Sequence, residues 1–274
     1  MPAPTSSSGA PDPSELAALA RDAALAAGDL LRRGQEGASA DVGTKTSRTD
    51  MVTALDRASE ALITEALLSA RPGDAVLGEE GGLTGAGTSG VRWIVDPLDG
   101  TTNYLYGFPV WAVSVAAELD GEVVAGVVHD PSHGETFTAV RGGGAACNGR
   151  ALRVTGAPDL GVALLGTGFA YESASRARQG AAVARVLPYV RDVRRAGAAS
   201  VDLCWVAVGR LDAYYERGLQ LWDRAAGMLV ASEAGATVAV LADDTTVAAP
   251  PQLYGPLLDL LAGAGAVPAG PAGG

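Results

Sequence analysis

Apolar residues recur at helical spacing in two early segments. Leu16, Leu19, Ala20, Ala23, Ala24, Leu30 and Leu31 form one face of a helix that starts near Pro13, with Asp12 or Ser14 as its cap and Gly34 and Gly37 as its end. Leu55, Ala58, Leu62, Ala66 and Leu67 define a second helix over Ala54 to Ala70, stopped by Pro72-Gly73. Between them, Asp41 to Asp50 has no apolar period and reads as a loop or short hairpin. A strand over Asp74 to Leu77 delivers Gly78-Glu79-Glu80 at its end, and the small, polar Gly81 to Gly90 reads as a mobile loop. The next stretch is strand-rich: Trp93-Ile94-Val95, then Ala112 to Glu118 and Glu122 to Val128 around the hairpin signal Leu119-Asp120-Gly121, then Thr136 to Val140 and Ala151 to Val154. After Gly156 the pattern alternates: strand Val162 to Gly166, helices Ser173 to Leu187 and Ser200 to Val208, strand Leu211 to Glu216, helix Asp223 to Ala234 and strand Thr237 to Leu241. This mixed order predicts an α/β protein with sheets sandwiched by helices, not a regular parallel barrel.

Length and composition narrow the class. At 274 residues with 48% hydrophobic and 19% charged positions, the chain can bury a large core. We expect one catalytic domain of two lobes over residues 13–261, with flexible tails at 1–12 and 262–274. The net charge of −11 argues against nucleic acid or an anionic membrane as partner. The same field repels a phosphorylated ligand unless a divalent cation reverses it locally. No apolar run is long enough to cross a bilayer. The opening MPAPTSSSGAPDPS lacks the basic and apolar parts of a secretory signal, so a cytoplasmic protein is expected. Cys147 and Cys204 are too few for a knuckle or a disulfide framework and read as reduced, packed thiols. His129 and His133, in VVHDPSHGE, read as structural or solvated. The Gly142 to Gly144 run is a turn, since no Lys-Ser/Thr follows it.

The chemistry concentrates in DPLDGTTN, Asp96 to Asn103. Two carboxylates stand three residues apart around Pro97-Leu98. Pro97 biases Asp96 away from helix, so the strand is expected to end there. Gly100-Thr101-Thr102 can then offer successive N–H groups to an anion. Glu79-Glu80, Glu216 and Asp223 lie at further apparent strand ends. Gathering Glu79, Asp96, Asp99 and Asp223 into one cleft is costly in repulsion and desolvation. An all-oxygen donor set of this kind points to Mg²⁺, with Mn²⁺ possible, in place of zinc.

The segments LGEE, WIVDPLDGTTNY, GRLDAYYERG and WDRAAGMLVASEAG closely resemble the inositol monophosphatase family, in order and in spacing, within a similarity running from Ala17 to Leu241. The resemblance implies the five-layer α-β-α-β-α sandwich of that family and of the related lithium-sensitive sugar phosphatases. It implies a first metal held by Glu79, Asp96 and the Leu98 carbonyl, and a second by Asp96, Asp99 and Asp223. A third, weaker metal would lean on Glu79 and water. Gly100 and Thr101 would donate backbone hydrogen bonds to the phosphate, and Thr101 with Asp56 would orient the attacking water. Lys45 matches a mobile-loop lysine. Glu216 matches the carboxylate that binds ring hydroxyls, with Gly197, Ala198 and Ala199 lining that pocket.

The implied reaction is hydrolysis of a phosphomonoester by a metal-activated water, without a phosphoenzyme. The implied partner is a small phosphorylated polyol, inositol 1-phosphate first. Histidinol phosphate is the nearest rival, and fructose 1,6-bisphosphate and NADP follow. Ala198 lacks the hydroxyl many relatives carry, and Gln220 also varies among them. A homodimer and lithium inhibition are implied as well, while a non-catalytic regulatory protein on this scaffold is the reading from another class. Trp93 and Trp222 read as core packing, and Glu80 as solvated or second to the metals. Thr167-Gly168-Phe169 reads equally as pocket rim or plain turn. Arg194-Arg195 reads first as a surface ion pair, with orienting the neighbouring loop or approaching the substrate phosphate as the other readings.

Overall fold

The computed structural model describes residues 11–40 and 48–268. Helix α1 spans Pro13–Ala40 and α2 spans Arg48–Ala70. The first sheet follows: β1 (Ala75–Gly78), β2 (Gly82–Gly85) and β3 (Val91–Asp99), the short helix α3 (Thr101–Tyr106), then β4 (Ala112–Leu119), β5 (Glu122–Asp130), β6 (Glu135–Val140), β7 (Gly144–Cys147) and β8 (Arg150–Ala151). The second half comprises β9 (Leu164–Thr167), α4 (Ser173–Val186), β10 (Asp192–Arg194), α5 (Ala199–Ala207), β11 (Ala213–Arg217), α6 (Leu221–Glu233), β12 (Thr237–Val240), β13 (Thr245–Ala249) and α7 (Pro251–Gly263). The strands form an eight-stranded sheet in the order β2-β1-β3-β4-β5-β6-β7-β8 and a five-stranded sheet in the order β10-β9-β11-β13-β12.

Strand alternation sorts side chains into layers. On one face of the large sheet Trp93, Val113, Val115 and Val127 pack on Leu16, Ala20 and Leu31 of α1 and on Ile63 and Leu67 of α2. On the other face Ile94, Ala112, Ala116 and Val128 meet Val201 and Cys204 of α5 and Ala226 and Val230 of α6. The opposite sides of α5 and α6, through Leu203, Val206 and Ala231, pack on Tyr214 and Ala248 of the small sheet. The outer face of that sheet, Leu165, Tyr215 and Val247, is covered by Val186 of α4 and by Leu253, Leu257 and Leu261 of α7. The layers therefore run α1/α2, large sheet, α5/α6, small sheet, α4/α7, the expected five.

Several boundaries differ from the sequence reading. Helix α1 continues through Gly34 and Gly37. A Cβ on Gly34 would lie 2.6 Å from a Leu55 methyl, so this glycine permits close packing of α1 on α2 and does not stop the helix. Helix α2 starts at Arg48, six residues before the expected Ala54. The expected loop Gly81 to Gly90 contains β2, an exposed edge strand paired with β1. Of the expected strand Ala151 to Val154, only Ala151 is in a strand, as the second residue of β8. Beyond Leu261, Ala264 and Val267 are buried against α7's layer, in a stretch expected to bury little. Trp93 is buried as expected, its Nε1 donating to Asp74 at 2.9 Å. Neither cysteine is in a disulfide; Cys204 is buried and Cys147 half-buried.

Candidate functional site

Strand β3 does not end at Asp96. It continues to Asp99, and its pairing with β4 shifts register between Asp96 and Asp99. In an unbroken strand residues three apart face opposite ways. The irregularity at Pro97-Leu98 lets both carboxylates face one cavity. The turn is tied down: Leu98 N–H donates to Asp96 Oδ1 at 3.0 Å, and the Thr101 hydroxyl donates to the Leu98 carbonyl at 3.1 Å. Gly100 follows with φ 86°, where a Cβ would stand 3.0 Å from the Val110 carbonyl oxygen. Only glycine meets both demands.

One face of α2 anchors this turn and the preceding one. Asp56, Ser59 and Glu60 are spaced three and four residues apart, hence on one side of the helix. The Ser59 hydroxyl donates to the Pro97 carbonyl at 2.9 Å. The buried Glu60 carboxylate accepts from Glu80 N–H at 2.8 Å and from Gly81 N–H at 2.7 Å, so it holds the turn that carries Glu79. A side chain on Gly78 or Gly81 would fall on that carboxylate. Asp56 is buried, and its Oδ1 has no hydrogen-bond partner among the described residues.

The rest of the wall comes from the second half of the chain. Ser200, in the first turn of α5, donates from N–H at 2.8 Å and from Oγ at 2.6 Å to Asp99 Oδ2. The buried Asn103 side-chain amide donates to Val110 and Ala196 carbonyls, joining α3 to the loop before α5. Asp223 closes a capping box at the start of α6 by accepting from Gln220 N–H at 2.7 Å. Glu216 accepts from the buried Tyr214 hydroxyl at 2.5 Å and lies where a side chain on Gly168 would sit. Asp202, buried on α5, approaches both Asp99 and Glu216.

These elements enclose a cavity of about 370 Å³ whose wall includes Glu79, Asp96, Asp99, Asp223, Gly100 and Thr101. Burial, then the charge of Asp223, pushes the Glu79 carboxyl up to about 7, against a hydrogen bond with Asp96. Burial takes Asp99 to about 7 despite the Ser200 hydrogen bonds. Asp96 is held well above the usual carboxylate range by burial, then by Asp99 and Glu79. Asp56 reaches about 8 through burial, then Glu79 and Glu80. Burial also raises Asp223 and Glu216. This is the electrostatic signature of a place where like charges are assembled for a cation or a proton. Among the described residues no three carboxylate, imidazole or thiol side chains already stand at metal-ligand spacing. The all-oxygen donors, their mutual repulsion and the orphaned Asp56 oxygen nonetheless fit a hard divalent cation.

Of the sequence candidates, Glu79, Asp96, Leu98, Asp99, Gly100, Thr101, Gly197, Ala199, Glu216 and Asp223 meet at this cavity. Asp56 is set back from the wall on α2, within electrostatic reach of Glu79. Ala198 is buried behind the wall, with its Cβ 3.2 Å from where a Gly100 Cβ would lie. Lys45 lies outside the described residues. Glu80 turns out to Arg57 at 3.1 Å. The two neighbouring arginines part ways: Arg194 pairs with Asp192 at 2.6 Å, whereas Arg195 borders the cavity, folded over Gly197. Trp222 is half-buried and also borders the cavity, beyond its expected packing role. His129 is buried against Thr136, and His133 bonds Asp130 at 2.7 Å, both structural. The sequence reading passed over Ser59, Glu60, Ser200 and Tyr214, whose partners only the fold reveals. Asp56-x-x-Ser59-Glu60 on a helix facing LGEE was the one local signal.

Residues 12–269 match the family model described as the inositol monophosphatase family. The inositol-1-monophosphatase of Mycobacterium leprae is 46% identical over 244 residues, covering 83% of this chain and 84% of that protein. The Nus factor SuhB of Pseudomonas aeruginosa is 45% identical over 229 residues, covering 80% of this chain and 83% of that one. The solved structure of Mycobacterium tuberculosis SuhB superposes with a TM-score of 0.82 at 42% identity, covering 92% of this chain and 98% of that chain.

Proposed function

Because the chain belongs to the inositol monophosphatase family, we propose that its cleft hydrolyses the phosphomonoester of a small polyol, inositol 1-phosphate first, with Mg²⁺. The observation that carries this reading is the convergence of Glu79, Asp96, Asp99 and Asp223 on one cavity beside Gly100 and Thr101. Glu79, Asp96 and the Leu98 carbonyl would hold one Mg²⁺, and Asp96, Asp99 and Asp223 a second, with Mn²⁺ as a substitute. Bound there, the metal supplies charge neutralisation for the phosphate and a water acidified towards hydroxide.

The chain's own groups do the rest. Gly100, at the start of α3, turns its backbone toward the cavity, and N–H groups there suit phosphate oxygens. The Thr101 hydroxyl donates to the Leu98 carbonyl in the metal-free cleft. To pass on a proton accepted from a water, it would turn that hydrogen to the unpartnered Asp56 Oδ1, with Asp56 ionised once bound metal offsets the neighbouring carboxylates. Glu216, fixed by Tyr214, accepts from polyol hydroxyls opposite the small Gly197 and Ala199. Lithium inhibition follows if Li⁺ competes at the second metal position. The exposed Tyr106 and Phe108 support a homodimer contact.

The test is Mg²⁺-dependent phosphate release from inositol 1-phosphate and histidinol phosphate side by side, with Asp99→Asn as blank. Preference for inositol 1-phosphate supports the reading; preference for histidinol phosphate keeps the mechanism and changes the substrate. Wild type no faster than the blank on either overturns it. The Nus factor name of the Pseudomonas relative supports a second reading, a Nus-factor role for this chain too. An intact carboxylate set is superfluous to that role alone, which favours catalysis as the first.

A further inference from the structure

WDRAAG contains a residue to which the phosphatase reading gives no part: Arg224, directly after Asp223. Its position is electrostatically awkward. Burial raises the Asp223 carboxyl, and the Gln220 N–H and the Arg224 guanidinium oppose that rise. A guanidinium free to turn onto Asp223 would occupy the oxygens that a divalent cation needs. In the structure it turns the other way. Arg224 Nη1 donates to the Leu219 carbonyl at 2.8 Å and to Asp244 Oδ1 at 2.9 Å, and its side chain is only 17% exposed.

Asp244 lies outside the cleft, in the tight turn between β12 and β13. Its φ of 65° is left-handed backbone, which aspartate tolerates better than most side chains do. The hairpin fixes the turn: Asp244 N–H donates to the Leu241 carbonyl at 2.9 Å, and Leu241 N–H to the Thr245 carbonyl at 2.8 Å. The Asp244 carbonyl then accepts from Gly218 N–H at 3.0 Å. This one residue therefore holds Gly218 by its backbone and Leu219 through Arg224. Residues 217–220 all border the carboxylate cavity. The last link is Gln220, whose N–H donates to Asp223 Oδ2 at 2.7 Å while its side chain accepts from Asp223 N–H. A continuous path of contacts thus joins a surface turn to a metal-ligand candidate.

We propose that Asp244 and Arg224 are positioning residues for the second metal position: Asp244 draws the Arg224 guanidinium away from Asp223 and, through it, ties down the loop over 217–220. The Asp223 carboxylate is thereby left open to a cation. This rests on the metal-dependent phosphatase reading of the cleft. Groups that orient a ligand from behind contribute roughly 10–100-fold to metal affinity.

The test is calorimetric titration of the whole chain with Mg²⁺, for wild type, Asp244→Gly, Arg224→Gln and the two combined. Glycine suits the left-handed turn, so Asp244→Gly removes the carboxylate and leaves the Gly218 bond in place. Asp244→Gly should weaken Mg²⁺ binding about tenfold, because the freed guanidinium turns to Asp223. Arg224→Gln alone should cost about threefold, through the lost tie to Leu219. The double variant should bind no more weakly than Arg224→Gln, since no guanidinium remains to compete. Asp244→Asn, which keeps a neutral acceptor, should fall between wild type and Asp244→Gly. Two independent braces would instead multiply to about thirtyfold in the double variant, and that result overturns the proposal. So does wild-type affinity in Asp244→Gly. If wild type binds no Mg²⁺, the metal reading fails separately, and amide hydrogen exchange at Gln220 decides. Faster exchange in Asp244→Gly than in the double variant supports the proposal, because only the freed guanidinium competes for the Asp223 oxygen that Gln220 holds; equal rates overturn it.

Discussion

On the side of the large sheet, each carboxylate loop of the cleft is anchored by groups that themselves are buried. Ser59 holds the Pro97 carbonyl, Glu60 holds the two N–H groups after Glu79, and Ser200 grips Asp99 twice. Across the cleft, at the end of the small sheet, Glu216 relies on one hydroxyl and on the bare Cα of Gly168. Beyond it Tyr171, Arg178, Arg217 and Gln220 stand exposed. The first rim has little freedom to vary without losing its geometry, while the second can exchange side chains at small cost to the fold. Under the proposed reading, the metal chemistry would lie on the first rim and substrate choice on the second.

The sharpest way to break this contrast is on the rigid rim. Asp99→Asn keeps the side chain's shape and removes its charge. Turnover should fall below about one hundredth of wild type while the circular dichroism spectrum is retained, and Asp223→Asn should behave alike. Near-normal turnover in either would end the assignment of these carboxylates to a metal. Glu60→Gln tests the anchor instead of the ligand. An amide can accept only one of the two N–H bonds, so about 1–3 kcal/mol of stability should go. Calorimetry should show Mg²⁺ binding weakened about tenfold, with KM for substrate at saturating metal little changed.

The same rim dictates a pH dependence. The Asp56 carboxyl stands at about 8, and those of Glu79 and Asp99 at about 7, far above an unfolded carboxylate. The metal-free fold therefore holds protons that the unfolded chain has released between about pH 4 and pH 8. Stability from these groups is complete below the unfolded value and is lost as pH rises through the folded ones. Thermal midpoints without metal should fall from pH 5 to pH 8, and added Mg²⁺ should raise the midpoint more at pH 8 than at pH 5. A flat profile would mean that the carboxylates are not held together before metal arrives.

How far the sequence discloses this architecture depends on the range of each interaction. DPLDGTTN, LGEE and WDRAAG carry their chemistry within a few residues, so the carboxylates were legible directly. Ser200 is 101 residues from the Asp99 it binds, and Glu60 is 20 from Glu80; neither residue type is informative alone. Pro97 predicts a strand end by its usual local effect, but the pairing with β4 resumes at Asp99 and turns the break into a bulge. Gly34 by itself predicts a helix stop, and the closeness of Leu55, which favours a glycine there, is a tertiary fact. Strand β13, TTVAA, is buried on both faces and shows no alternation by which to recognise it.

The adaptable rim should respond more gently, and in KM. In Gly168→Ala the new methyl displaces the Glu216 carboxylate, so KM for inositol 1-phosphate should rise about tenfold with kcat within a few-fold. The smallest effect is expected of Tyr214→Phe. The ring stays in the layer between α5/α6 and the small sheet, so packing is preserved and only the hydroxyl is lost. Glu216 then keeps its place over Gly168 but loses its one fixed hydrogen bond, worth about 1 kcal/mol, or about fivefold in affinity. Such a loss should appear in KM for polyol phosphates and be absent for an aryl phosphate with no hydroxyls to bind. If KM rises equally for both, Tyr214 supports the wall as a whole, and the division between a rigid chemical rim and an adjustable selecting rim does not hold at Glu216.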